Sequence, residues 1–156
     1  MPEKDFDLKL RPHHIIDIIT GYGNNVVYKP HPYGHSQHIV APKLYSSLDL
    51  RVKLVLEADD ICIGCSHLMA DGSCNDVLSR ITPSPSKQAY NDILDSRLFD
   101  HFSISPGSVV TILEYYNKVN ASTPGIEKIC THPKESHERR LSGLINGLIK
   151  LRIRDQ

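Results

Sequence analysis

The distribution of cysteine constrains this chain more than any other feature of its sequence. Of its four cysteines, three share the segment "ICIGCSHLMADGSC": Cys62, Cys65 and Cys74. A two-residue gap in a tight turn lets the first two sulfurs face one centre, and Gly64 between them lets the backbone bend closely. Cys130 must reach that centre from another part of the fold. We therefore expect residues 59–76 to form a loop around a metal centre.

Two kinds of metal centre compete for such thiols. Structural zinc is usually held by two close pairs of ligands, because each pair supplies half of a tetrahedron. A four-iron cluster takes one thiolate on each iron, and its irons are spread apart. One close pair with two single cysteines suits the cluster better, so we predict a [4Fe-4S] cluster and keep zinc as the alternative. The predicted ligands are Cys62, Cys65, Cys74 and Cys130.

Thiol chemistry without a metal stays open as a further alternative. A redox-active pair at Cys62 and Cys65 would normally open a helix in a βαβ unit, whereas Gly64 and the following "SHLMADGS" predict a loop. A single buried cysteine also behaves as a small hydrophobic residue. That interpretation suits Cys130 alone and does not explain three cysteines in one short loop.

Charge and the N-terminal residues limit the partners and the location of the chain. The formal net charge is zero, so the molecule as a whole attracts neither nucleic acid nor an anionic membrane. The start "MPEKDFDLKL" lacks the basic and apolar runs of a secretory signal, and no segment is long enough to span a bilayer. We expect a cytoplasmic protein, in which thiols stay reduced and a cysteine cluster indicates a metal site.

Hydrophobic periodicity predicts a mostly helical α+β fold, in a single compact domain over residues 1–156. A short strand, "RVKLVL", should lead the chain directly into the cysteine loop. Helices are predicted at residues 11–20, 35–47, 86–102, from 109 onward, and about 133–150. Gly21 and Gly23 should end the first helix. The last has the clearest amphipathic pattern.

Histidines provide the candidate catalytic groups. His13 and His14 follow Arg11 and Pro12 at the predicted start of the first helix, where an anion could bind or a proton be passed. Adjacent helical residues point about 100° apart, so we expect one of the two to be packed or hydrogen-bonded and not to share a ligand. His67, inside the cysteine loop, is a third candidate. We expect Asp59 and Asp60 to cap the loop by accepting its N–H groups.

Three segments together resemble a known family: "LRPHHIIDII", "ADDICIGCSHLMADGSC", and "GIEKICTHP" with "RLSGLINGLIKL". They resemble the archaeal and bacterial family called domain of unknown function 1284, over nearly the whole chain. Its members are described as candidate iron–sulfur binding proteins and have no established reaction. The resemblance implies that Cys62, Cys65, Cys74 and Cys130 hold the cluster.

Three classes of function follow from a metal centre of this kind. An electron carrier would cycle the cluster and dock weakly with a redox partner protein. An enzyme would need an iron open to substrate, as happens if Cys130 is not a ligand, with His13, His14 or His67 nearby to move protons. A zinc-stapled binding module would use the metal only for folding.

Overall fold

The computed structural model describes residues 5–66, 68–70, 87–130 and 136–155. Within them lie five helices: α1 (Pro12–Gly23), α2 (Gln37–Ser46), α3 (Lys87–Phe102), α4 (Ile112–Ala121) and α5 (His137–Lys150). The strands are β1 (Leu8–Leu10), β2 (Arg51–Leu54) and β3 (Val109–Thr111), and two 3-10 turns span Asp60–Cys62 and Ile126–Lys128. The protein is a mostly helical α+β domain, as the sequence predicts.

A small mixed sheet brings the chain to the cysteine segment. The central strand β2 runs parallel to β1, with Leu8 opposite Val52, and antiparallel to β3, with Val52 opposite Val110. Val52 and Leu54 are fully buried, which explains the alternating pattern of the strand. The chain leaves β2 and reaches the 3-10 turn at Asp60–Cys62 within a few residues, so the predicted strand before the cysteine loop is confirmed.

Helices α1 and α5 pack together at backbone distance. A Cβ atom added to Gly23 would lie 1.7 Å from the carbonyl oxygen of Gly143, and one added to Gly147 would lie 2.0 Å from that of Ile19. No side chain fits into either space, because real Cβ atoms do not approach other atoms so closely. The glycines of the last helix therefore allow α1 to lie directly against it.

One apolar cluster includes side chains from every helix and from β1 and β2. The two largest fully buried side chains, Tyr115 and Tyr116, donate their hydroxyl groups to the carbonyl oxygens of Pro12 and Leu44. A buried tyrosine hydroxyl without a partner would be destabilising. These two hydrogen bonds connect α4 to the start of α1 and to the end of α2. The core thereby fixes the position of the first turn of α1.

Several sequence predictions need correction. The first helix was predicted over residues 11–20, but it continues through Gly21 and ends at Gly23, where it contacts α5. Residues 109–111 form β3 before α4 begins, because Val110 pairs with Val52. In α3, predicted over residues 86–102, the buried face includes Asp95 and Phe99, whereas Ile93 is 53% exposed.

The start of the last predicted helix, residues 133–135, lies outside the described residues. Helix α5 itself begins at His137, after Ser136, whose hydroxyl accepts the N–H of Arg139. Among the residues described, no helix is both long and apolar enough to cross a membrane.

Candidate metal centre and its buried histidine pair

The first two cysteines lie on a tight turn that an aspartate begins. Asp59 accepts the N–H of Ile61 through its Oδ1, at 3.1 Å, so its predicted capping role is confirmed. The N–H of Cys65 donates to the carbonyl oxygen of Cys62 at 3.0 Å, and Gly64 between them has φ +85°. An L-residue rarely adopts that conformation, which explains the glycine. Asp60 accepts no N–H of the loop among the residues that the structure describes, and its Oδ2 accepts the N–H of Lys9 in β1 instead.

A second loop, residues 31–36, supports this turn through backbone contacts. The N–H of Ser66 donates to the carbonyl oxygen of Tyr33 at 2.6 Å. Ser36 donates its N–H to Ile61 and its hydroxyl to the carbonyl oxygen of Ile63, both at 2.8 Å. Gly34 and Gly64 meet so closely that a Cβ on either would lie within 2.6 Å of the other's carbonyl oxygen. The cysteine turn is therefore held from two sides.

The two cysteines of the turn are free thiols and are half-buried. The Sγ of Cys62 donates to Oδ1 of Asp59 at 3.5 Å. Burial, together with the charge of Asp59, raises the pKa of Cys62 to about 12. The metal-free thiol is therefore protonated at neutral pH, and a metal that binds it must displace that proton.

Cys130 has a different environment, next to the first turn of α5. Its side chain is fully buried, and its Sγ accepts a hydrogen bond from Nη2 of Arg140 at 3.2 Å. The same arginine donates to the carbonyl oxygen of Cys130 and to Asp17 on α1. Burial and the charge of Asp17 raise the pKa of Cys130 well above its ordinary value, and the charge of Asp95 adds to that effect.

A buried polar network surrounds the start of α1. Arg11 donates its Nε to Asp95 and its Nη2 to Asp92, both at 2.6 Å, and its backbone N–H to Asp59 at 2.7 Å. Arg11 is 3% exposed and Asp95 is fully buried. Since a buried charge without a partner is strongly destabilising, these contacts make α1, α3 and the cysteine turn depend on one another.

His13 and His14 complete this network, each on its own carboxylate. Nδ1 of His13 lies 2.8 Å from Oδ1 of Asp95, and Nδ1 of His14 lies 2.6 Å from Oδ2 of Asp59. An ionised carboxylate only accepts, so each Nδ1 carries the proton. The ring centroids are 4.3 Å apart. One of the two was expected to be packed or hydrogen-bonded, and both are hydrogen-bonded, because a carboxylate from each of two elements holds one ring.

The contact between His14 and Asp59 shifts both of their pKa values. Burial alone would lower the pKa of His14, but the charge of Asp59 and its hydrogen bond outweigh burial and raise it. For Asp59, burial acts to raise the pKa, and the charge of His14 with its hydrogen bond lowers it instead. The charged form of the pair is therefore favoured in the metal-free protein.

Cys62 and Cys130 lie near different ends of this network. Cys62 donates a hydrogen bond to Asp59, while the charge of Asp95 helps to raise the pKa of Cys130. In the part of the chain that the structure describes, no three side chains of His, Cys, Asp or Glu converge closely enough to hold a metal ion. The third predicted ligand, Cys74, and the candidate His67 lie outside the described residues.

Sequence reasoning missed the carboxylates of α3. Asp92 and Asp95 lie in the helix predicted over residues 86–102, and neither was named as a candidate site residue. Their position three residues apart, on one helical face beside Leu94 and Leu98, was the available signal. A buried aspartate on such a face requires a cationic or N–H partner, and the first turn of α1 provides both.

Comparison with known proteins adds no relative to this picture. No family model, no curated protein and no solved structure matches the chain. The functional assignment therefore depends on the residues and contacts of this chain alone.

Proposed function

We propose that this chain is a cytoplasmic iron–sulfur protein that holds one [4Fe-4S] cluster through Cys62, Cys65, Cys74 and Cys130 and transfers electrons with a redox partner protein. The observation that carries the proposal is the turn from Cys62 to Cys65. It presents two free thiols on either side of a glycine with positive φ, supported by backbone contacts from residues 31–36. A turn whose backbone is fixed by several hydrogen bonds, and which carries two reduced thiols, is suited to hold a metal centre.

The chemistry of the described donors fits an iron–sulfur cluster. Thiolates are soft ligands that such clusters require, and Arg140 already donates an N–H to the sulfur of Cys130. Hydrogen bonds of that kind stabilise thiolate ligands and help to set the reduction potential of a cluster. When bound, the cluster would supply one-electron chemistry. Because the pKa of the Cys62 and Cys130 thiols is raised, binding should release their protons.

Exposed apolar side chains next to the cysteines support a role in electron transfer. Ile63, between the two cysteines of the turn, is 59% exposed, and Met69 is 46% exposed. Exposed apolar residues beside a redox centre provide a contact surface for weak, short-lived docking, and aromatic and methionine side chains are common there. The near-zero net charge leaves such a surface without strong electrostatic steering.

Anaerobic purification tests the proposal. We expect a brown protein whose visible absorption bleaches on addition of dithionite and returns on reoxidation, as an electron carrier requires. A cluster that never changes on reduction would contradict the carrier role. A colourless protein with one zinc per chain would instead support the zinc-stapled module and contradict the cluster.

A second candidate function is an enzyme with one open iron site near the histidine pair. The observation that favours it is the environment of Cys130, whose sulfur is engaged by Arg140 and does not group with Cys62 and Cys65. An iron without a cysteine ligand could bind substrate, while His13 and His14 move protons.

Replacing each cysteine by serine separates the two candidates. If all four cysteines are ligands, Cys130→Ser and Cys65→Ser should lower the iron content and alter the visible spectrum to a similar extent. If Cys130→Ser keeps the full iron content and an unchanged spectrum while Cys65→Ser loses both, the open-iron enzyme is favoured. Circular dichroism of each variant controls for loss of fold.

A further inference from the structure

The pair of His13 and His14 has the arrangement that metal-binding histidines usually have. Such histidines almost always donate their second ring N–H to a carboxylate, which fixes the tautomer and orients the ring. Here both Nδ1 atoms do so, to Asp95 and Asp59. In the neutral imidazole this arrangement leaves the lone pair on Nε2, and a metal that binds His14 must displace the Nε2 proton that Asp59 favours in the metal-free protein. Helix capping alone would not require two imidazoles.

The Nε2 atoms are left unused by the described residues. Neither has a hydrogen-bond partner in residues 5–66, 68–70, 87–130 and 136–155, although the side chains of His13 and His14 are only 6% and 16% exposed. Both Nε2 atoms are also accessible. Among those residues, the one side-chain atom that is buried and has no hydrogen-bond partner is Nδ1 of His38. Two largely buried imidazoles thus keep one reachable nitrogen each.

From their sequence positions the two histidines were expected not to share a ligand, but the two rings lie close enough together to bind a single ion. A bond of about 2.1 Å from Nε2 to a metal places each ring centre roughly 3.2 Å from that metal. Two imidazoles at neighbouring positions of an octahedral ion, about 90° apart, then have centres roughly 4.5 Å apart. The observed separation is 4.3 Å.

Carboxylates lie against both rings, which favours a cation there. Asp95 and Asp59 contact Nδ1 of His13 and of His14. The charges of Asp59 and Asp17 both raise the pKa of His14, which shows that a positive charge at this ring is stabilised. A divalent ion bound to the two rings would be attracted by the same carboxylates.

We propose that His13 and His14 bind a divalent transition-metal ion through their Nε2 atoms, at a site separate from the thiolates of the cysteine loop. Asp95 and Asp59 are positioning residues for the two rings. Since no third described side chain converges on the pair, water or substrate fills the remaining positions of the ion. Imidazole ligands with open positions suit ions such as Fe²⁺, Co²⁺ or Zn²⁺.

Cobalt binding to a variant without the paired cysteines tests this site. The full-length double variant Cys62→Ser, Cys65→Ser is treated with a chelator, dialysed against Co²⁺ alone, and analysed for bound cobalt and for its absorption spectrum. We expect one cobalt per chain, with weak ligand-field bands and no thiolate charge-transfer band. Cobalt that is not retained, or that carries a thiolate band, would overturn the proposal.

Histidine variants in the same background locate the ion. His13→Gln and His14→Gln should each abolish cobalt retention, while the matched control His31→Gln, at an exposed position, should not change it. Cobalt retained equally by all three variants would contradict the site. Asp95→Asn should weaken cobalt binding about 10–100-fold, as loss of a carboxylate behind a histidine ligand does. Asp100→Asn, on the exposed face of α3, should leave it unchanged.

The wild-type protein gives an independent measurement if the double variant does not fold. Dialysis of the anaerobically purified wild type against Co²⁺ should add one cobalt per chain, and His13→Gln should prevent the addition. Because the thiols of an empty cysteine loop would also bind Co²⁺, the histidine site is measured as the cobalt that His13→Gln removes and that carries no thiolate band. Failure of the cluster proposal would leave cobalt binding at the histidines intact, and failure of the histidine site would leave the iron content intact.

Discussion

The two ends of α1 are held in opposite ways. Its C-terminal half lies against α5 through glycines, with Gly23 and Gly147 in contact with backbone of the facing helix. Its first turn is bonded to the core by Tyr115, which donates to the carbonyl oxygen of Pro12, and is otherwise held by ionised groups. Asp59 and Asp95 accept the N–H groups at the start of the helix and the Nδ1–H groups of both histidines. One helix thus joins an apolar packing surface to a buried polar network.

The difference between the two ends separates stability from chemistry. The glycine contact offers no titratable or ligating group, so its role is to fix where α1 lies. The polar network is costly to bury and would be less costly as apolar packing, since replacing buried ion pairs by hydrophobic residues is often neutral or stabilising. Its presence beside Cys62 therefore indicates a function, with the glycine contact providing the rigid support.

Loss of Asp95 should have the largest effect on stability. Among the described ion pairs, Asp95→Ala leaves Arg11 with the half-exposed Asp92 and removes the carboxylate that contacts His13. Breaking a buried ion pair costs about 3–5 kcal/mol, and the remaining Asp92 places the expected loss near about 3 kcal/mol. Urea unfolding of the variant measures it. Asp100→Ala, exposed on the same helix, should change stability by less than about 0.5 kcal/mol, and equal losses would contradict the network.

A methyl group at the glycine contact should have a smaller effect, confined to packing. Gly147→Ala forces a Cβ against the carbonyl oxygen of Ile19. Overpacking costs about 1–3 kcal/mol, and alanine regains about 1 kcal/mol of helix propensity, so we expect a net loss of at most about 2 kcal/mol.

The metal content of Gly147→Ala shows whether its effect is confined to helix packing. Gly147→Ala should keep the iron content of the wild type, because the contact lies at the far end of α1 from the network. Ser142→Ala, exposed on α5, is the matched control and should not destabilise the protein. A Gly147→Ala variant more stable than the wild type would show that the helices are not in backbone contact.

The pH dependence of the metal-free protein should reveal the pair of His14 and Asp59. The pKa of His14 is raised above 6.5, so its contribution to stability is complete below pH 6.5 and is lost as the pH rises through the folded-state value. The pKa of Asp59 is lowered below 3.8, so its contribution is lost only at acid pH below 3.8. Unfolding followed from pH 6 upward should show declining stability, and His14→Gln should reduce the slope. An identical slope in both proteins would contradict the pairing.

Periodicity predicted the helices well, because each has an apolar face whose spacing is local information. The strands β1 and β3 were not predicted, since three residues are too few to show alternation and their pairing with β2 depends on residues far along the chain. The glycines of "SGLINGL" were visible in the sequence, but a contact between Gly147 and Ile19 depends on how two distant helices pack.

The candidate site was predicted in its residue types more than in its arrangement. The turn at Cys62 and Cys65 follows from the spacing and from Gly64, which acts locally. The role of Asp95 depends on α3 lying beside α1, and nothing near Asp95 in sequence indicates Arg11 or His13. Similarly, the engagement of Cys130 by Arg140 required the fold, although the two are only ten residues apart.

Iron and acid-labile sulfide in the anaerobically purified protein test the central claim most directly. A [4Fe-4S] cluster on the cysteines requires about four irons and about four sulfides per chain, and Cys65→Ser should lose both together. Zinc without sulfide, or iron that remains fully bound in Cys65→Ser, would contradict the assignment of the cysteine turn as the cluster site.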